Sequence, residues 1–244
     1  MGVPRFHQDA PLRPGERLVL GPVASRHVQV LRLQPGAEIA IFDGRGTELS
    51  ARVEQMGRRE VSVQLGAPRA VLAEPSVEAS LAVVVPANDR MDFVVEKATE
   101  LGVTRIWPLM SQRSVWRLDA GRATQRRAHW QAVAAAACEQ CGRAVVPLIE
   151  APQPLAAWIS RPELPATRWI LLTSHPGSTE TAISPGRRAE LALSGPEGGF
   201  TADEEALARS HGFRARSLGP RVLRADTAPL AWLAHLMLSI DGAA

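Results

Sequence analysis

Two short loops rich in glycine and arginine concentrate the chemistry available to this chain. The first is Ser194-Gly195-Pro196-Glu197-Gly198-Gly199-Phe200. Its glycines let the backbone pass close to a ligand and offer bare N–H groups to it. The spacing is neither G-x-G-x-x-G nor G-x-x-x-x-G-K-S/T, so the usual dinucleotide and P-loop readings fail. The second loop is Leu218-Gly219-Pro220-Arg221-Val222-Leu223-Arg224, entering a helix with Asp226 or Thr227 as cap and Pro229 in its first turn. Two guanidiniums beside a helix N-terminus suit an anionic or polarised group. A third loop, Thr173-Ser174-His175-Pro176-Gly177, carries a histidine. Alone, His175 reads as a solvated loop residue more readily than as a catalytic base.

These loops need strands to hold them. From Ala79 the sequence alternates strand and helix: strand Ala79–Val85, helix Met91–Leu101 closed by Gly102, strand Arg105–Leu109, then a long helix from about Ala123 to Gln140. Strands Arg168–Thr173, Glu190–Leu193 and Phe213–Leu218 follow, with helices from Ala202, capped by Thr201 and Glu204, and over Asp226–Ile240. This alternation predicts an α/β domain with a mostly parallel sheet covered on both faces, whose ligand sits beyond the carboxyl ends of the strands. Pattern alone draws that sheet without a knot. The N-terminal residues differ. Arg17–Leu20, Glu38–Phe42, Glu48–Val53 and Glu60–Leu65 read as strands, Asp43-Gly44-Arg45-Gly46 as a hairpin turn and Pro22–Leu31 as a helix. Breakers from Gly66 to Ser76 mark a linker, giving domains 1–72 and 73–244.

Bulk properties narrow the class. The 244 residues, 45% of them hydrophobic, suffice for packed cores. No apolar run approaches a membrane span, and Met1–Asp9 lacks the apolar segment of a secretory signal. A cytoplasmic protein is expected. Cys138 and Cys141 form C-E-Q-C late in the long helix, where no helix N-terminus stabilises a thiolate, and two ligands are too few for structural zinc. They read as incidental, and no metal is expected. Every one of the 28 basic residues is Arg except Lys97. Compositional drift accounts for most of this, but clusters such as Arg5/Arg13/Arg17 and Arg113/Arg117/Arg122/Arg126/Arg127 would suit an anionic partner such as nucleic acid.

Taken together, the residues resemble the RsmE family of 16S ribosomal RNA methyltransferases in the SPOUT superfamily. The resemblance runs nearly end to end. It rests on Pro4-Arg5-Phe6, His27-Val-Gln-Val-Leu-Arg32 with Pro35-Gly36, Phe42-Asp-Gly44, Glu96-Lys97-Ala-Thr-Glu100-Leu-Gly102 and Glu139-Gln140-Cys-Gly-Arg143. The two loops described above complete it. Ala225-Asp226 stands where the family usually has Thr-Glu, and Ser194 before the glycine loop is a second mild departure.

The resemblance implies a SPOUT-type parallel sheet with a C-terminal trefoil knot, a small N-terminal PUA-like β-barrel, and a homodimer acting on 16S ribosomal RNA in the small subunit. It implies S-adenosyl-L-methionine as cofactor, held by Leu172, Thr173, Gly195, Pro196, Glu197, Gly198, Gly199, Leu218, Gly219, Leu223 and Arg224. The methyl acceptor would be N-3 of a uracil. Arg224 leads for stabilising the anion, Arg5 and Arg143 are alternatives for orienting base or phosphate, and Glu197 is a candidate base. Arg5, Arg26, His27, Arg32, Lys97, Arg113 and Arg143 are the expected RNA contacts. The competing readings are a related methyltransferase acting on another RNA and a non-catalytic RNA-binding protein.

Overall fold

The computed structural model describes residues 3–58, 60–71, 73–115, 120–173 and 189–241. His175 and Arg117 lie outside them. The chain divides into two compact units: Met1–Glu74 with Ala135–Val146, and Pro75–Ala134 with Pro147–Ala244.

The first unit contains β1 (Arg5–His7), β2 (Arg17–Val19), α1 (Pro22–Val30), β3 (Glu38–Phe42), β4 (Glu48–Met56) and β5 (Val61–Pro68). The strands hydrogen-bond in the order β1-β3-β4-β5-β2, with β1 parallel to β3 and the other pairs antiparallel. Alternation places Leu49, Ala51 and Val53 of β4 in one core with Phe6, Val28, Ile39, Ile41, Val61 and Val63. The hairpin between β3 and β4 turns on Asp43, whose Oδ1 accepts the amides of Arg45 at 2.8 Å and Thr47 at 3.0 Å. Gly44 and Gly46 take φ of 75° and 107° there, which a side chain would resist.

The second unit is α/β. In chain order it holds β6 (Glu78–Val84), α2 (Met91–Glu100), β7 (Arg105–Met110), α3 (Ala120–Cys141, whose last turns belong to the first unit), β8 (Leu148–Ile149) and β9 (Gln153–Pro154). These are followed by α4 (Leu155–Trp158), β10 (Thr167–Leu171), β11 (Ala189–Ser194), α5 (Ala202–Ser210), β12 (Arg214–Arg216) and α6 (Thr227–Asp241). All pairings are parallel, in the order β12-β10-β11-β6-β7-β8, with β9 also on β7. The strands are near-continuous apolar runs because both faces are covered. One core joins Ala82, Val84, Trp107, Leu109, Trp158, Ile170, Leu191, Leu193, Phe200 and Phe213. Three short strands (β1, β8 and β9) and the helix α4 are not anticipated from sequence, since two to four residues carry no measurable period.

Helix α5 begins with a complete capping box. Glu204 N donates to Thr201 Oγ1 at 3.2 Å and Thr201 N to Glu204 Oε2 at 2.9 Å. Glu204 Oε1 accepts a further bond from Gln112 N at 2.8 Å, tying the end of β7 to this helix. Replacing Thr201 by Ala is expected to lower unfolding stability by about 1 kcal/mol. The midpoint of urea denaturation checks this, and an unchanged midpoint would refute it.

Candidate functional site

In the second unit β12, β10 and β11 are neighbours, so the segments leaving their carboxyl ends converge. They enclose a cavity of about 300 Å³. Leu171, Leu172 and Thr173 come from the end of β10, Ser194 from the end of β11 and Gly195–Phe200 from the loop after it, and Val222–Ala225 from the loop before α6 with Ala228 in its first turn. A smaller recess of about 50 Å³ shares Leu171, Leu172, Thr173, Leu223 and Ala228 and adds Leu218, Gly219 and Arg221. All eleven residues expected to hold a cofactor therefore line one of these two adjoining spaces. Leu171, Ser194, Phe200, Glu205, Val222, Ala225 and Ala228 join them, none of them among the residues expected to hold the cofactor.

The glycine loop is shaped by its neighbours. Gly199 N closes a turn onto Pro196 O at 2.9 Å, and Gly199 has φ 67°. Phe200 is buried in the core and anchors the loop's far end. Arg113, expected as an RNA contact, donates from Nη1 to Gly198 O at 2.9 Å and Phe200 O at 3.0 Å while lining the cavity. Glu197 Oε1 accepts the Ala87 amide at 3.1 Å.

Arg224 is exposed at the other wall, just before α6. Its carbonyl accepts the Thr227 and Ala228 amides at 2.9 and 3.0 Å. Among the described residues no ion pair or hydrogen bond is recorded for its guanidinium. Two positions on, Asp226 is 6% exposed and bonded to Arg90. Burial works to raise its carboxyl, but the hydrogen bonds from Arg90 and Thr227 outweigh it and hold the group below the ordinary carboxylate range. Asp226 therefore keeps its charge throughout the neutral range.

The remaining expected residues lie elsewhere. Arg5 is in the first unit, where it bonds Glu48 at 2.7 Å and Arg143 O at 2.9 Å and stacks over Phe42 at 4.7 Å. Arg143 is 2% exposed and paired with Glu74 at 3.1 Å. Burial in an ion pair gives Arg143 a structural place rather than the surface RNA contact expected of it. Glu139 accepts the His7 amide at 2.9 Å and meets His27 Nδ1 at 3.0 Å. The P-R-F start, His27 and the E-Q-C-G-R segment thus build one network inside this unit. Lys97, on α2, is held between Glu100 and Glu96, whose hydrogen bonds push its ammonium above its usual value. Arg26 and Arg32 are exposed with no recorded guanidinium partner among the described residues.

The cysteines are less inert than their spacing suggests. The Cys141 thiol is lowered to about 6, first by its hydrogen bond with Cys138 and further by the Arg143 amide and the charges of Arg143 and Arg5, while Cys138 is pushed far up. Iodoacetamide labelling of Cys141 should therefore rise through about pH 6, not near the ordinary value of roughly 8.5. In Cys138→Ala the rise should move back up; an unchanged profile would sink this account. Among the described residues no group of three His, Cys, Asp or Glu is placed to hold a metal ion, and no helix is long and apolar enough to cross a membrane.

Residues 73–237 match the family model described as RNA methyltransferase domain, and 24–66 match RNA methyltransferase PUA domain. The ribosomal RNA small subunit methyltransferase E of Mycobacterium bovis is 32% identical over 206 residues, covering 82% of this chain and 77% of its own. The chain belongs to the RsmE family of RNA methyltransferases. A second RsmE relative, from Bacillus subtilis, is 28% identical and covers 83% of this chain and 82% of its own. The crystal structure of the RsmE of Neisseria gonorrhoeae bound to S-adenosyl methionine superposes with a TM-score of 0.89 at 33% identity, over 98% of each chain. Membership in the RsmE family accounts for the pairing of a PUA domain with an α/β methyltransferase domain in one chain.

Proposed function

We propose that this chain methylates N-3 of a uracil in 16S ribosomal RNA of the small subunit, using S-adenosylmethionine. The observation that carries the reading is the cavity at the ends of β10, β11 and β12, walled by both loops and carrying the exposed Arg224 guanidinium. Its size lies at the small end of ordinary ligand pockets, roughly 300–1,000 Å³. The glycine backbone leaves space that side chains would fill, and the backbone groups of 171–173, 218–219 and 223 supply donors and acceptors for an adenine edge. Bound S-adenosylmethionine would supply an electrophilic methyl group.

The residues of the chain then have separable tasks. The glycine loop and Leu223 hold the cofactor. Uracil N-3 must lose its proton before or during attack, and the resulting charge spreads onto the flanking carbonyl oxygens. Arg224 stabilises that charge, as a fixed donor in a partly enclosed site does most effectively. Proton acceptance is assigned to Glu197, whose Oε2 has no recorded hydrogen bond among the described residues. Arg26 and Arg32 of the first unit are offered for phosphate contact. We further propose a cytoplasmic homodimer whose C-terminal segments form a trefoil knot. In favour of pairing, Phe93 on α2 and Leu238 on the adjoining α6 are large apolar side chains left 49% and 72% exposed.

The test is incubation with methyl-labelled S-adenosylmethionine and small ribosomal subunits from a strain lacking this activity, followed by nuclease digestion and mass spectrometry. A new 3-methyluridine in 16S RNA is the expected product. Another methylated nucleoside, or methylation of a different RNA, would overturn the substrate. Cofactor binding without transfer to subunits or naked RNA would point to a non-catalytic RNA-binding protein.

A further inference from the structure

Both cavity loops are touched by a turn that belongs to neither. After β6 the chain passes through Val85-Pro86-Ala87-Asn88-Asp89-Arg90 into α2. Asn88 and Asp89 both lie in the left-handed region, at φ 58° and 53°. Asn and Asp tolerate this conformation better than other side chains, but two in succession persist only where the surroundings over-determine them. Three contacts do so here. The Ala87 amide donates to Glu197 Oε1 at 3.1 Å, Asp89 pairs with Arg126 at 3.0 Å, and the Arg90 guanidinium donates to the Asp226 carboxylate. The first contact lands on the glycine loop and the third on the loop that carries Arg224.

The Asp226 link is the stronger of the two. The carboxylate is 6% exposed and takes a hydroxyl bond from Thr227 at 3.1 Å, with Arg90 as its ion-pair partner. Removing one member of such a pair leaves a buried charge uncompensated, so Asp226 would move toward water. Thr227 and Ala228 both donate their amides to the Arg224 carbonyl. Movement of Asp226 is therefore felt at Arg224 through the backbone and one turn of helix.

We propose that residues 85–90 are a brace that sets the spacing of the two loops. Within it Arg90 is a positioning residue for methyl transfer, acting through Asp226 on Arg224. The inference rests on reading the cavity as the methyl-transfer site, and it deepens that reading by naming what holds the site open. Arg90 lines neither of the two cavity spaces, so it contributes by placement and not by touching the reacting atoms.

The variants Arg90→Ala, Arg90→Lys, Asp226→Asn and the Arg90→Ala/Asp226→Asn double test it. Arg161→Ala, which removes a pair with Glu163 away from the cavity, is the control. Calorimetry with S-adenosylmethionine, thermal unfolding and steady-state methylation of small subunits are the readouts. Arg90→Ala should lower kcat roughly thirtyfold to a hundredfold, the scale of a misplacement of about 1 Å. Its Kd for S-adenosylmethionine should rise roughly tenfold, and KM for the subunits should stay within about twofold, since phosphate contacts are untouched. Arg90→Lys should recover part of kcat, because it restores the charge without the planar fork. The double variant should be no slower than the slower single, since both residues act through one link.

Wild-type kcat and Kd in Arg90→Ala would overturn the brace, as would losses in the two single variants that simply multiply in the double. If Arg90→Ala does not fold, Arg90→Lys and Asp226→Asn carry the same comparison, and losses that track their melting temperatures would also overturn it. If wild-type protein transfers no methyl group, the methylation reading fails by itself. The brace is then judged on cofactor affinity, and an unchanged Kd in Arg90→Ala refutes it.

Discussion

Arg224→Ala is expected to lower the rate of methyl transfer roughly a hundredfold to a thousandfold in a protein that still folds and still binds S-adenosylmethionine. Folding should survive because the side chain is exposed and its electrostatic neighbour, Asp226, keeps its pair with Arg90. Surface changes of this kind stay within about 0.5 kcal/mol. Cofactor binding should survive because the glycine loop and Leu171, Leu172 and Leu223, which would hold the cofactor, are unaltered. The loss falls on the step in which negative charge develops on the uracil. The guanidinium lowers the cost of that charge as a donor already in place. Without it, deprotonation of the imide becomes harder, and the rate of the variant should keep climbing with pH where wild-type levels off. Arg224→Lys should restore part of the rate, keeping the charge but not the fork. Single-turnover assays at saturating cofactor give these values directly. A rate within threefold of wild-type would remove Arg224 from the chemistry and leave the charge to Arg113 or Arg221, the other arginines lining the two spaces.

The arginine also shows how far the sequence could be read. Its position before a helix, in a loop that follows a strand and contains Gly219, made the loop legible, because turn chemistry and capping are local. The same holds for the glycine loop, for the Asp43–Gly46 hairpin and for the strand–helix alternation of the second unit. Strand order was not legible. Parallel strands buried on both faces carry no mark of their neighbours, so nothing in the sequence says that β10 lies between β11 and β12. Arg5 and Arg143 were expected to orient the base or contact RNA, as the family resemblance implies. Their partners Glu48 and Glu74 stand 43 and 69 residues away, too far for any window to connect them. Arg90 and Asp226 are separated by 136 residues, and the brace they form could not be seen until the chain was folded. One local signal was present: Asn-Asp after a strand that ends at a proline is the kind of pair that accepts left-handed backbone.

Gly195→Ala should weaken S-adenosylmethionine binding at least tenfold, while Gly198→Ala three residues on should not. A Cβ built at Gly195 would stand 3.0 Å from Phe200 Cε2 and 3.2 Å from its Cδ2 and Cζ. Those are ring atoms of a side chain 7% exposed, packed in the core with Trp107 and Leu193. The ring cannot swing aside as a surface arginine could, so either the core reopens or the loop moves. Overpacking of this kind costs about 1–3 kcal/mol. Phe200 directly precedes Thr201, the cap of α5, and its carbonyl accepts the Arg113 guanidinium, so loop movement also disturbs both anchors. A Cβ at Gly198 would instead meet Arg113 Cβ and Cδ at 3.5 Å, which is ordinary contact. Gly199 separates the remaining variable: nothing lies within 4 Å of its Cβ position, but φ is 67°, so Gly199→Ala should lower stability by roughly 1 kcal/mol through backbone strain alone. Titration calorimetry and thermal unfolding on the three variants distinguish these causes. Equal affinity in Gly195→Ala and wild-type would mean that the loop against Phe200 does not wall the cofactor site, and the assignment of the glycine loop would have to be withdrawn.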